Sequence, residues 1–262
     1  MGIATDINRT IISASEHAAP SYFCLGAMKG GTTLFFNSIG QMPQIKLPSK
    51  KEIHFFDRTE RYYQGLNFYL NHFPLKGEMG TGDITGEATP FYLYHHKVPG
   101  RIKRIFPKAK FIVLLRNPSD RAYSHFHHSK SCNVIHDLTF ERALQQEDLR
   151  LRNDLSNSYD QRYFSFKARG RYAEQLKRWF RYYGRDQFLI LQSEEFFKNY
   201  ENVLKETCDF LRVKFKLGIN LAKEYDNILD PVNPGTRQYL VEYFEPYNQE
   251  LYELLGVNYG WK

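Results

Sequence analysis

The sequence is poor in cysteine and has no long apolar run. Its three cysteines, Cys24, Cys132 and Cys208, are widely spaced and form no CxxC pair, so neither a disulfide framework nor a zinc site is indicated. The most obvious apolar run, residues 111–115, is far shorter than the roughly 18 to 20 residues that span a bilayer. The first residues lack the apolar core of a signal peptide. These absences predict a cytoplasmic protein in a reducing compartment, without a membrane segment.

In other respects the composition is that of a folded globular protein. Hydrophobic residues make up 42% and charged residues 25% of the 262 positions, which fits one sizeable core. Aromatic residues reach 16%, enough to line a pocket with flat surfaces. The 36 Lys and Arg residues exceed the 29 Asp and Glu residues and give a net charge of +7. This excess favours an anionic partner such as a nucleotide, a nucleic acid or an acidic glycan.

Apolar strand patterns alternate with amphipathic helix patterns along most of the chain. The predicted strands are residues 22–25, 110–115 and 188–191, and the predicted helices are 32–38, 99–106, 119–130, 172–183 and 240–255. This alternation predicts a single α/β domain with a central, mainly parallel sheet flanked by helices. Residues 1–19 show no periodicity and are predicted to be a flexible arm, or one short helix, before a domain of residues 20–262. Ligands of such sheets gather at the carboxyl ends of the strands.

A glycine-rich loop follows the first predicted strand and precedes a helix. Residues 26–33 (GAMKGGTT) bring backbone N–H groups and the positive end of a helix to one point, as a phosphate site requires. Compared with the Walker pattern, Thr32 stands at the lysine position and the lysine has moved to Lys29. This change favours a shorter, metal-free phosphate donor over a nucleoside triphosphate with Mg²⁺. The residues predicted to bind the phosphate are Lys29, Gly30, Gly31, Thr32 and Thr33.

Residues 27–33 (AMKGGTT) also resemble the 5'-phosphosulfate loop of sulfotransferases that use 3'-phosphoadenosine-5'-phosphosulfate (PAPS). Residues 114–124 (LLRNPSDRAYS) are similar to the family's 3'-phosphate segment, in which an arginine after a strand and a serine on the next helix hold that phosphate. The resemblance assigns these roles to Arg116 and Ser124. It extends from Tyr22 over nearly the whole chain and is closest to heparan sulfate-type glycan sulfotransferases and their bacterial relatives. It implies a P-loop-like fold, PAPS as donor, 3'-phosphoadenosine-5'-phosphate (PAP) as product and no metal.

The same resemblance reaches the residues that perform the reaction. Residues 51–57 (KEIHFFD) are similar to the segment that supplies the catalytic base, which implies that Glu52 is the base. His54 is the alternative base, because in an extended segment both side chains would share one face. Lys29 is expected to stabilise the negative charge that develops on the leaving phosphate.

Two other runs bear on the nucleotide and on the acceptor. Residues 169–172 (RGRY) resemble a stretch that borders the nucleotide, and Tyr172 is predicted either to contact the adenine or to pack in the core. In residues 86–90 (GEATP), Ala88 stands where the family often has a substrate-contacting lysine. Residues 226–237 are shorter than the family loop that closes over the 3'-phosphate, and no role is assigned there.

Together these patterns predict a sulfotransferase that moves the sulfuryl group of PAPS to an acceptor hydroxyl by in-line displacement. The departure at Ala88 and the lack of an anchor favour a small metabolite or natural product of a bacterial cytoplasm over an oligosaccharide, and an amine acceptor and the oligomeric state stay open. A nucleotide kinase is disfavoured because the Walker lysine is missing. A nucleic-acid-binding protein is disfavoured because the basic residues are scattered. Neither a nucleic acid nor a membrane is therefore a predicted partner.

Overall fold

A five-stranded parallel sheet forms the centre of the fold. The structure, a computed structural model, describes residue 8 and residues 10–152, 159–219 and 230–262. The strands are β1 (Tyr22–Gly26), β2 (Ile45–Lys46), β3 (Ile84–Ala88), β4 (Lys110–Leu115) and β5 (Phe188–Gln192). Their order is β2-β3-β1-β4-β5, and every neighbouring pair is parallel. The predicted α/β fold is confirmed, and β1 is the central strand, beyond whose carboxyl end ligands of such sheets bind.

Helices connect the strands and pack on both faces of the sheet. They are α1 (Thr32–Ile39), α2 (Thr59–Tyr62), α3 (Gly65–Leu70), α4 (Val98–Ile105), α5 (Pro118–Ser131), α6 (Phe140–Arg152), α7 (Tyr159–Tyr163), α8 (Tyr172–Phe180), α9 (Ser193–Lys198), α10 (Tyr200–Leu211) and α11 (Pro234–Leu255). Within the described ranges, no helix is both long enough and apolar enough to cross a membrane.

Side chains of the central strands alternate between two apolar layers. Phe23 of β1 packs in the layer that contains Trp179 of α8, whereas its neighbour Cys24 packs in the layer that contains Phe35 of α1. Strands buried on both faces read as continuous apolar runs, which is why β1, β4 and β5 were predictable. A third apolar cluster joins α5, α6 and α11 around Phe126 and Phe244. The helices that follow β1 and β4 are therefore firmly packed.

Two strands and the start of one helix differ from the sequence-based expectation. β2 has two residues and β3 reads ITGEA, so neither shows the apolar run of a buried strand. Gly86 of β3 is needed there, because a Cβ at this position would lie 2.5 Å from the ring of Tyr22. The N-cap of α5 is Asn117, whose side chain accepts a hydrogen bond from the backbone N–H of Ser119. The helix therefore begins at Pro118, one residue before the predicted start at residue 119.

The described part of the N-terminal arm is bonded to the loop after α3. The N–H of Ala18 donates to the carbonyl of Pro74 at 2.8 Å, and the N–H of Lys76 donates to the carbonyl of Glu16 at 2.7 Å. These bonds hold residues 16–18 against the domain. The division of the chain at residues 19 and 20 stays a prediction.

Candidate active site

The glycine loop joins the carboxyl end of β1 to α1. Lys29 and Gly31 both adopt left-handed backbone, with φ of 66° and 81°, and Gly31 is the N-cap of α1. The N–H of Gly30 donates to the carbonyl of Ala27 at 2.9 Å. A Cβ at position 30 would lie only 2.8 Å from the carbonyl oxygen of Leu114 in β4. The loop therefore requires glycine at position 30 in order to pack against β4.

Side chains from other segments fasten this loop. The hydroxyl of Ser193 donates to the carbonyl of Gly30 at 2.7 Å, and the guanidinium of Arg116 donates to the carbonyl of Lys29 at 3.1 Å. Burial, and then the positive charge of Arg116, lower the pKa of Lys29. The structure thus brings together the two runs that are predicted to hold the two phosphate groups of the donor.

The predicted 3'-phosphate residues lie at the carboxyl end of β4. Arg116 follows β4 directly, and Ser124 is the seventh residue of α5 and half-buried. Tyr172 is only 1% exposed, and its hydroxyl donates to the carbonyl of Arg116 at 2.8 Å. Of the two roles that the sequence left open for Tyr172, its surroundings support packing in the core.

Glu52, His54 and Asp57 form a line of ionisable side chains. Oε2 of Glu52 lies 3.5 Å from Nε2 of His54, and Nδ1 of His54 lies 2.8 Å from Oδ2 of Asp57. Glu52 and His54 both have positive φ, 58° and 55°, so the expectation of an extended segment is wrong. Left-handed backbone rather than strand periodicity brings the two side chains together. The N–H of Glu52 also donates to the carbonyl of Ala88 at 3.0 Å, at the end of β3.

The charges in this line favour an ionised Glu52. Burial opposes ionisation, but the hydrogen bond from His54 and the positive charge of Lys51 outweigh it and lower the pKa of Glu52 to about 2. Burial likewise opposes the charged form of His54, yet its hydrogen bonds to Asp57 and Glu52 raise its pKa. An ionised Glu52 carries a free lone pair that can accept a proton, whereas the upward shift in the pKa of His54 favours the form of the imidazole that cannot. The Glu52 side chain is 44% exposed and therefore open to an acceptor.

Lys51 connects this carboxylate to the helix of the glycine loop. Its ammonium donates to Oε1 of Glu52 at 3.0 Å and to Oγ1 of Thr33 at 2.8 Å. Thr33 is the second residue of α1, so one lysine side chain separates the carboxylate from the loop. The motifs assigned no role to Lys51 or to Asp57. The signals that identify them are the position of Lys51 next to Glu52 and the three-residue spacing from His54 to Asp57.

A buried carboxylate supports the segment that carries this line. Glu87 of β3 is fully buried and accepts hydrogen bonds from the hydroxyls of Tyr69 (2.5 Å), Thr89 (2.7 Å) and Tyr92 (2.8 Å). The Tyr92 hydroxyl in turn accepts from the N–H groups of Phe55 and Phe56, at 3.0 and 3.2 Å. Because Phe55 and Phe56 lie between His54 and Asp57, this network fixes the backbone of the segment that carries the three ionisable side chains.

The pKa of Glu87 gives a prediction about stability. Burial raises it from 4.5 to about 7, so the unfolded chain releases this proton at lower pH than the folded chain. The contribution of Glu87 to stability is fully present below about pH 4.5 and falls by on the order of 3 kcal/mol as the pH rises through about 7. We expect Glu87→Gln to flatten the decline of the unfolding free energy between about pH 5 and 7. Urea denaturation at several pH values measures this, and equal slopes in wild type and variant would contradict it.

The histidine-rich part of α5 does not converge on one point. His125 is buried, and its Nε2 lies 3.2 Å from the carbonyl of Arg162, whereas Nε2 of His128 lies 3.8 Å from the sulfur of Cys132. In the part of the chain that the structure describes, no three His, Cys, Asp or Glu side chains are placed to hold a metal ion.

Comparison with known proteins identifies the family. The family model described as "Sulfotransferase domain" matches residues 20–232, which is most of the chain and includes the glycine loop, Glu52 and Arg116. The chain belongs to the sulfotransferase domain family. This confirms the predicted family, and it confirms that the domain is that of a sulfotransferase. The kinase and nucleic-acid-binding alternatives are not supported.

Relatives of known structure or description are similar over most of this chain. The crystal structure of a sulfotransferase from Alicyclobacillus acidocaldarius has a TM-score of 0.77 and 28% identity, and the match covers 91% of this chain and 96% of that chain. The membrane-associated sulfotransferase kil1 of Dictyostelium discoideum is 26% identical over 93% of this chain and 66% of its own length. Heparan sulfate glucosamine 3-O-sulfotransferase 5 of Mus musculus is 25% identical over 92% of this chain and 74% of its own length. The chain thus spans only part of the length of the last two relatives.

Proposed function

We propose that this chain transfers the sulfuryl group of PAPS to an acceptor hydroxyl, with Glu52 as the base and Lys29 stabilising the leaving phosphate. The observation that carries the proposal is the bridge from Thr33 through Lys51 to Glu52. It keeps an ionised, half-exposed carboxylate beside the loop at which the phosphosulfate would bind. A base next to the reacting sulfur is what the transfer requires.

The proposed reaction is an in-line displacement at sulfur. A bond forms between the acceptor oxygen and sulfur, the bond between sulfur and the bridging oxygen of the 5'-phosphate breaks, and its electron pair leaves with PAP. Glu52 takes the acceptor proton. Lys29 and the backbone N–H groups of the loop offset the charge on the leaving oxygen. An acceptor hydroxyl that displaces the Lys51 ammonium from Glu52 would raise the basicity of this carboxylate, because the carboxylate then loses a stabilising positive charge.

The donor would be held at both of its ends. On the 5' side the proposed binding residues are Lys29, Gly30, Gly31, Thr32 and Thr33, and on the 3' side they are Arg116 and Ser124. The hydrogen bond from Arg116 to the carbonyl of Lys29 supports this arrangement, because it keeps both positive charges near one anion. Tyr172 would act through the backbone of Arg116 and not through the adenine.

We propose a small hydroxylated metabolite or natural product as the acceptor. Ala88, at the position where the family often has a substrate-contacting lysine, is fully buried, and its carbonyl binds the N–H of Glu52. The base therefore has no lysine beside it from this position to attract an anionic glycan. An oligosaccharide is the second candidate, favoured by the similarity to the mouse glucosamine 3-O-sulfotransferase. A bacterial cytoplasmic setting remains part of the proposal, supported by the similarity to the Alicyclobacillus enzyme.

The acceptor class is tested with PAPS and three panels of compounds: hydroxylated small molecules, desulfated heparan-type oligosaccharides and amines. PAP release and the mass of the product are measured for each panel. We expect transfer to hydroxylated small molecules. Transfer confined to oligosaccharides would establish the second candidate, and transfer confined to amines would contradict the hydroxyl acceptor.

A further inference from the structure

The direction in which the Arg116 side chain leaves the backbone depends on a very short turn. Only Arg116 and Asn117 separate β4 from α5. On the helix side the turn is fixed, because Oδ1 of Asn117 accepts from the N–H of Ser119 at 2.9 Å. The other polar groups of the turn need partners as well, because unpaired polar groups are costly in a buried place.

Three parts of the chain that are distant in sequence supply these partners. The hydroxyl of Tyr172 in α8 donates to the carbonyl of Arg116 at 2.8 Å. Oε1 of Glu194 in α9 accepts from the N–H of Asn117 at 2.7 Å. The side-chain amide of Asn117 donates to the carbonyl of Lys262 at 3.0 Å. The backbone and the cap residue of the turn are thus held from three sides.

Trp261 contacts two of the side chains that hold the turn. Its indole N–H donates to Oε2 of Glu194 at 3.4 Å, and its ring centroid lies 5.9 Å from that of Tyr172. The ring also stacks on Tyr259 at 4.8 Å. Glu194 therefore uses one carboxylate oxygen for the turn and the other for Trp261, which orients the carboxylate.

We propose that Glu194 and Trp261 are positioning residues, which aim the guanidinium of Arg116 at the 3'-phosphate of the donor. The inference rests on the proposed function, because it takes Arg116 as the residue that binds this phosphate. A guanidinium binds phosphate through a planar fork, so its orientation determines how many hydrogen bonds it forms. Loss of the hydrogen bonds that hold the turn should therefore weaken binding of the 3'-phosphate more than it weakens binding of the rest of the nucleotide.

The test compares the binding of PAP with that of adenosine 5'-monophosphate, which lacks the 3'-phosphate. In calorimetric titrations, we expect Glu194→Ala to bind PAP about tenfold more weakly and adenosine 5'-monophosphate as the wild type does. Glu194→Gln should recover part of the loss, since its amide oxygen still accepts from Asn117. Trp261→Phe, which keeps a ring but lacks the indole N–H, should show a smaller loss for PAP alone.

The matched control is Glu250→Ala. Glu250 lies on α11 and pairs with Lys177 at the surface, at 2.6 Å, so binding of both nucleotides should stay unchanged. Equal losses for both nucleotides, or wild-type PAP affinity in Glu194→Ala and Trp261→Phe, would overturn the inference. If Glu194→Ala does not fold, Glu194→Gln and Trp261→Phe decide the question. If the wild type does not bind PAP, the proposed function itself fails, and that result is distinct from the others.

Discussion

Glu52→Gln is expected to lower turnover by about 10² to 10⁴-fold, because an amide cannot accept the acceptor proton. Affinity for PAP should stay within about twofold of the wild type, since the amide has the same shape and the Lys51 side chain stands between Glu52 and the phosphate loop. The measurement is PAP release at saturating PAPS with an acceptor from the screen, together with calorimetric titration of PAP.

The matched control for this variant is Glu250→Gln, the same substitution at a surface ion pair, which should leave turnover unchanged. Asp57→Asn gives a second comparison, because it removes a charge that supports the protonated form of His54. Near-normal turnover in Glu52→Gln would show that the base lies elsewhere. His54→Gln would then be the next variant to measure.

Lys29→Ala is expected to impair both binding and chemistry. Turnover should fall by about 10² to 10³-fold, the usual effect of removing one group that stabilises the charge of a transition state. PAP should also bind at least about tenfold more weakly, because a partly buried cation next to Arg116 is lost. Alanine and lysine meet similar strain in the left-handed backbone at position 29, so the fold of the loop should persist.

The control for Lys29→Ala is Lys108→Ala, the same substitution at an exposed position before β4. It lowers the net charge by the same amount and should leave both binding and turnover unchanged. Equal effects of the two substitutions would mean that Lys29 acts only through the overall charge of the protein. Unchanged turnover in Lys29→Ala would refute its role at the leaving phosphate.

The glycine loop could be predicted from the sequence because its determinants are local. A buried strand, closely spaced glycines and a helix follow one another without interruption, and β1 and α1 have nearly the predicted bounds. The strand β3 could not be predicted because Gly86 interrupts its apolar pattern. This glycine leaves room for the ring of Tyr22. The buried carboxylate of Glu87 interrupts its apolar pattern further.

The line of ionisable side chains formed by Glu52, His54 and Asp57 was only partly predictable for a similar reason. The motif indicated Glu52 and His54, but their contact depends on left-handed backbone at both residues, which no periodicity indicates. The backbone that follows at Phe55 and Phe56 is held by Tyr92, which is itself bonded to Glu87, and both lie about 30 or more positions further along the chain. The bridge through Lys51 to α1 likewise depends on tertiary packing. Local patterns therefore singled out Glu52 and His54 as candidates, whereas the contacts among Lys51, Glu52 and His54 depend on the fold.

The central claim is that the loop and Arg116 bind a 3',5'-bisphosphorylated adenosine without metal. The measurement that tests it most directly is calorimetric titration of PAP into the wild type and into Arg116→Ala, with a chelator present. The account predicts a dissociation constant on the order of micromolar for the wild type, and the loss of this binding in the variant. No binding by the wild type, or binding that requires Mg²⁺, would contradict it.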